Sequence, residues 1–126
     1  MTVPDHYRPF YRGFIRMALI MLIFGGVAGV VLQEMTKSIT YDDLAPGVRF
    51  EGIYHLAILH GHSFVIGTLM PIAWLMIMQI SLALGATPMT PKALRWIYWT
   101  YVPGAFGVIA LIAYKGIHYV VKVKGG

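Results

Sequence analysis

The sequence predicts an all-α integral membrane protein, a single domain with three transmembrane helices. Three observations predict it. The 126-residue chain is 58% hydrophobic and only 12% charged, against roughly 25% charged in soluble domains. It holds three apolar runs, at about 14–32, 54–84 and 91–121, each long enough to cross a hydrocarbon core of about 30 Å. Three of the five histidines, His55, His60 and His62, gather at the head of the second run. An imidazole is costly against lipid, so a histidine cluster at the start of a span marks a candidate functional site.

Composition also excludes several functions. The chain has no cysteine, which removes disulfides, thiolate metal sites, iron–sulfur clusters and Cys-x-x-Cys-His haem attachment. The formal charge of +5 is spread over both ends and the loops, without the basic stripe or recognised module that nucleic-acid binding needs. Membrane lipid, through its anionic headgroups, suits these charges better. Arg8, Arg12 and Arg16 before the first run resemble the n-region of a secretory signal. Gly25, Gly26 and Gly29 lie within that run, however, and no convincing small-x-small cleavage site follows, so it reads as a retained helix.

Taken in order, residues 1–13 form a polar and aromatic lead-in, with Tyr7, Phe10 and Tyr11 suited to an interfacial belt. His6 reads as a solvated or headgroup histidine. In the first helix Gly25 and Gly29 make a Gly-x-x-x-Gly pair, extended by Ala18 and widened by Gly26. Such spacing lets two helices approach closely. Residues 38–53 read as a loop. Its Asp42 and Asp43 fit a solvated acidic turn better than a cation site.

The second helix is longer than the bilayer requires, so it tilts or stands partly in the interface. Pro71 removes a backbone donor and should kink it. Met70, Met76 and Met78 read as lipid or packing surface. Thr90-Pro91 is a helix start, with proline at the first helical position. Trp96, Tyr98, Trp99 and Tyr101 form an aromatic belt at the entry to the third helix, and Pro103 interrupts its early ladder.

Antiparallel connectivity places Glu34, Glu51, His55, His60, His62, Lys115 and His118 on one side of the membrane. Positive charges on the two faces nearly tie; the short arginine-rich N-terminus favours an inside N-terminus, with the histidines towards the outer leaflet. A helix turns about 100° per residue, so His60 and His62 face nearly opposite ways and cannot easily share one ion. His55 and His62 share a stripe with Leu59 and Ile66. His60 shares a face with Ser63 and Gly67. On the third helix, Gly104, Gly107, Leu111, Tyr114 and His118 make one continuous face.

A haem between helices needs one or two imidazoles, small residues where the macrocycle lies and apolar walls, and its potential is tuned by second-shell bonding. His60 or His62 opposite His118 meets these needs as the axial, iron-binding pair, with Lys115 or Arg49 near the propionates. Zinc or copper would ask for three or four converging ligands, which the spacing does not offer. The simpler alternative is histidines hydrogen-bonded within a polar interfacial layer.

Asp5-His6 precedes a glycine-rich helix ending in Gln33-Glu34, a loop holds Pro46-Gly47, and the next helix carries His60-Gly61 and Met70-Pro71, the proline eleven residues after the histidine. This arrangement resembles the N-terminal helices of haem–copper oxidase subunit I. The resemblance implies that His60 is an axial ligand of a low-spin haem. A rival register, His62-Ser63-Phe64-Val65, implies His62 instead. Trp96 and Pro103 loosely echo that family's third helix.

The chain also resembles a family of small, uncharacterised bacterial membrane proteins, through Glu34-Met35-Thr36-Lys37, the His60-x-His62 pair with Gly67, and Lys115-Gly116-Ile117. Many of those relatives carry a fourth helix. The later helices that supply the oxidase's remaining haem and copper ligands have no counterpart here, so the chain is not an oxidase on its own. The expectation is a b-type haem-binding protein of electron transfer, a small subunit of a respiratory-type complex in a prokaryotic inner membrane or a homo-oligomer. The alternative is an accessory subunit with no cofactor of its own.

Overall fold

Gly85 and Thr90 set the layout of the chain, because one ends a long helix and the other starts the next. Gly85 takes a φ of 85°, a conformation that costs other residues a Cβ clash. With it, Ala86 N–H reaches the Ser81 carbonyl at 2.9 Å and Gly85 N–H the Leu82 carbonyl at 3.1 Å. These two bonds form a Schellman cap. Five residues later the Thr90 hydroxyl accepts from Ala93 N–H at 3.2 Å, capping a helix that begins with Pro91 as the sequence predicts.

A computed structural model describes the backbone of residues 3–40 and 46–125, and the side-chain surroundings of residues 3–31, 34, 54–55 and 57–118. A 3₁₀ turn (Asp5–Tyr7) leads into α1 (Arg8–Thr40). Helix α2 (Pro46–Phe64) passes through a π-turn (Val65–Leu69) into α3 (Met70–Ala83), and α4 (Pro91–Gly125) follows. No strand occurs among the described residues. Three stretches, Asp5–Val31, Ala57–Ala83 and Pro91–His118, are long and apolar enough to cross a membrane. The all-α, three-span expectation is therefore met. The first and third helices run past their expected ends, because no glycine–proline signal stops them and a continued helix satisfies its own backbone. Residues 38–40 and 46–53 of the expected loop are helical, since α2 starts at Pro46, a residue suited to the first helical position. Asp42 and Asp43 lie outside the described residues.

The α2–α3 rod runs antiparallel to α1 and α4. At one end a core of Tyr7, Phe10, Phe14, Met78, Leu82 and Leu94 joins the start of α1, the end of α3 and the start of α4. A second core, Met17, Met21, Leu59, Ala105 and Ile109, lies deeper. The lead-in is tied to the 85–90 turn by two bonds to one residue. Tyr7 Oη accepts from Met89 N–H at 2.7 Å, and His6 Nε2 donates to the Met89 carbonyl at 2.7 Å. His6 is thus exposed, as expected, but anchored. Met70 and Met76 face outward and Met78 is buried, a division between lipid and packing surface.

Pro71 does not break the second rod. In the π-turn, Met70 N–H bonds to the Val65 carbonyl, five residues back. In that register the next N–H would meet the Ile66 carbonyl, and residue 71 has none. Tyr101 of α4 fills the gap by donating its hydroxyl to Ile66 O. An unpaired carbonyl at membrane depth is costly, so the proline of one helix is answered by a tyrosine of another. Pro103 likewise lies within a continuous α4.

Replacing Tyr101 with Phe should therefore destabilise the protein by about 1–3 kcal/mol, the cost of one unsatisfied buried polar group. Thermal unfolding in detergent measures it. Tyr98→Phe is the control, since that hydroxyl has no hydrogen-bond partner among the described residues, and it should change the midpoint little.

Candidate functional site at the crossing of α1 and α2

The crossing is built from the small residues that the sequence marks on α1. A Cβ added at Gly29 would lie 2.6 Å from His60 Cε1 and 2.7 Å from its Nδ1. One added at Gly25 would lie 3.1 Å from the Phe64 ring and 3.3 Å from Ser63 Cβ. One turn further, Gly67 of the π-turn takes the Met21 side chain in the same way. Thr68 Oγ1 donates to the Ala18 carbonyl at 3.0 Å. The expected His60–Ser63–Gly67 face is thus the face that meets α1, and Gly25, Gly29 and Ala18 are its counterpart. Gly26 does not widen this face, contrary to expectation: nothing lies within 4 Å of its added Cβ. One residue along a helix is about 100° around it, enough to turn Gly26 outward.

His60 is the polar centre of the crossing. Its Nδ1 lies 2.8 Å from the Gly25 carbonyl, and its ring meets Phe64 edge-on at 4.7 Å and 77°. A carbonyl only accepts, so Nδ1 carries the proton. In the neutral ring Nε2 then holds the lone pair. An Nδ1–H on a backbone carbonyl is one of the ways metal-binding histidines are oriented. The half-buried position shields the ring without enclosing it.

The other candidates are placed differently. His62 is exposed, and its Nδ1 lies 3.0 Å from the Ile58 carbonyl of its own helix. The expected stripe with His55 is divided: Leu59 is buried in the second core and Ile66 packs against it, while His62 points away. His55 is half-buried with its ring 6.1 Å from Tyr54. His118 is exposed and stacks on Tyr114 at 5.7 Å and 14°. Lys115 is exposed. Arg49 and Glu51 lie in the backbone of α2, and their side chains are outside the described residues.

The continuous α4 face exists but looks outward. Leu111 and Tyr114 are 67% and 66% exposed, and added Cβ atoms at Gly104 and Gly107 meet nothing within 4 Å. The opposite face, through Ala105, Ile109 and Gly116, packs inward. The structure therefore places His60, His62 and His118 in the same half of the bundle, as connectivity requires, but does not bring His118 against His60 or His62. No group of three or more His, Cys, Asp or Glu side chains converges as a metal site among the described residues.

These features fall within a stretch shared with relatives. A family model described as "Protein of unknown function (DUF2871)" matches residues 11–125. The chain belongs to this family. The match takes in the Gly25–Gly29 face, the π-turn and the outward face of α4. No curated protein and no solved structure matches the chain.

Sequence reasoning missed the Tyr101–Ile66 bond and the clasp of His6 and Tyr7 on Met89. Both end on backbone atoms, which leave no residue-type signal at the receiving position.

The packing makes a paired prediction. Gly29→Ala should cost about 1–3 kcal/mol, as overpacking does, because the ring it meets is held by its own hydrogen bond. Gly26→Ala should be neutral, or stabilising by up to about 1 kcal/mol from helix propensity. Unfolding midpoints of the two variants in one detergent test the pair.

Proposed function

We propose that the protein binds b-type haem through His60 and serves in electron transfer within a larger membrane assembly. The observation that supports this reading is the His60–Gly25 bond of 2.8 Å, which puts the proton on Nδ1 and leaves the lone pair on Nε2. The residues present fit one axial position. Gly29 lets the ring sit against the α1 backbone, Phe64 meets it edge-on, and the surrounding helices supply apolar walls. Haem, when bound, would carry the electron, while the chain supplies ligation and burial.

The second axial position is the open half of the site. His118 and Tyr114 stand on the outward face of α4, away from His60 in the same chain, so His118 serves a haem shared with a second copy or a partner subunit. Lys115, beside them and exposed, suits propionate neutralisation at that surface, as does Arg49 in sequence. His62, exposed with its own Nδ1 engaged, is the rival ligand. The likeness of His60-Gly61 and Met70-Pro71 to oxidase subunit I supports His60 over His62.

A second reading has its own observation. The same His60 bond joins α1 to α2 with no cofactor, so the ring also suffices as a helix clamp in an accessory subunit. The two are separated by the visible spectrum of protein purified with its membrane partners from haem-replete cells. Reduced-minus-oxidised haem bands should appear and vanish in His60→Ala. His118→Ala should change the spectrum if the second ligand is His118, and His62→Ala should leave it intact. A colourless preparation in which His60→Ala lowers only the unfolding temperature would establish the clamp and exclude the haem.

A further inference from the structure

At the end of the bundle opposite His55, His60, His62 and His118, the starts of α1 and α4 line an open cavity of about 350 Å³. Its walls divide by chemistry. Arg95 and His6 form the polar part, Phe10 and Leu94 the apolar floor, and Tyr98 and Trp99 an aromatic side. Phe10 and Leu94 are 5% and 3% exposed, so the floor belongs to the core. His6 is tied in place by a bond from its Nε2 to the Met89 carbonyl at 2.7 Å. The cavity is therefore a shaped feature of the fold.

Its charge and depth identify its occupant. Arg8 nearby is paired with Asp5 at 3.3 Å, whereas Arg95 has no ion pair among the described residues. The apolar stretches of α1 and α4 begin at Asp5 and Pro91, which puts the cavity at the boundary of hydrocarbon and water. Trp99 is 66% exposed there, in the position of an interfacial aromatic. A cation above an apolar floor at headgroup level matches an anionic amphiphile. The cavity is small for a whole lipid and suits a headgroup with its first carbons. Anionic headgroups attract lysine and arginine in this zone.

We propose that the Arg95–His6–Trp99 cavity binds the headgroup of an anionic phospholipid from the adjoining leaflet. Arg95 forms charge-assisted hydrogen bonds to the phosphate, and the guanidinium geometry favours two at once. Phe10 and Leu94 take the glycerol end, and Trp99 lies along the upper acyl chain. The site is independent of the histidine cluster and of any haem.

The test uses the full chain with Trp74→Phe and Trp96→Phe, so that Trp99 alone reports. It is reconstituted in phosphatidylcholine vesicles containing either brominated phosphatidylglycerol or brominated phosphatidylcholine at equal low mole fraction. Brominated phosphatidylglycerol should quench Trp99 several-fold more effectively. Arg95→Gln should equalise the two lipids, and Arg95→Lys should keep most of the preference. Inorganic phosphate added in excess should not displace the lipid. Equal quenching with Arg95 present, a preference that survives Arg95→Gln, or loss of the preference to inorganic phosphate each overturns the proposal. If the tryptophan-depleted chain does not fold, mass spectrometry of the wild-type protein released from mixed vesicles reads the same quantity. Phosphatidylglycerol retained per chain should fall several-fold in Arg95→Gln, and unchanged retention overturns the site.

Discussion

The close approach of α1 and α2 over Gly25, Gly29 and Gly67 is the constraint on which the rest of the structure depends. Lipid tails are as apolar as leucine, so burying more leucine does little to join two helices in a membrane. Contact area and hydrogen bonds must do it. Glycines without side chains let His60, Phe64 and Met21 sit against backbone. The short distance then brings two carbonyls of α1, Gly25 O and Ala18 O, within reach of His60 and Thr68. Close packing and polar bonding are thus one feature: without the glycines the carbonyls would be out of reach. Double-mutant cycles in a membrane protein put such interhelical bonds at about 0.6 kcal/mol each on average, so packing and bonding share the stabilisation.

The π-turn belongs to the same arrangement. It places Gly67 and Thr68 on the face towards α1 while turning the Ile66 carbonyl towards Tyr101 of α4. Pro71 leaves that carbonyl without its backbone partner, and the tyrosine supplies one. At Pro71 the helix continues through a change of register. One irregular turn serves two neighbours, and α4 is fastened to the pair by a bond that a regular helix would have kept for itself.

How much of this could be read in the sequence follows from the same physics. Length and hydropathy specify three spans, because any polypeptide crossing lipid must satisfy its backbone internally. Gly25, Gly29 and Ala18 specify a packing face, since small residues at that spacing have a steric consequence. Depth is legible too: connectivity alone puts His60 and His118 in one half of the bundle. Azimuth is not. In a soluble helix the polar face marks the outside, but in lipid both faces are apolar, so Gly104 and Gly107 look like an inner seam and are an outer one. The histidine faces on α2 were separable by angle, and His60 went to the packed face while His62 went outward. What no periodicity carries is the backbone acceptor, which is why the roles of Tyr101 and His6 had no sequence signal.

The azimuth of α4 bears most on what the site can do. His60 lies towards α1, and His118 lies with Leu111 and Tyr114 on a surface that α1 and α2 do not touch. Turning α4 to bring His118 inward would carry Ala105 and Ile109 out of the second core and pull Tyr101 from the Ile66 carbonyl. Those losses fall on a buried apolar cluster and on a carbonyl whose partner in the π register would be Pro71, so the rotation is disfavoured. A group held by both His60 and His118 must then lie between chains. The fold of one chain holds the His60 imidazole at the α1–α2 crossing through its Nδ1 bond and presents the His118 imidazole outward.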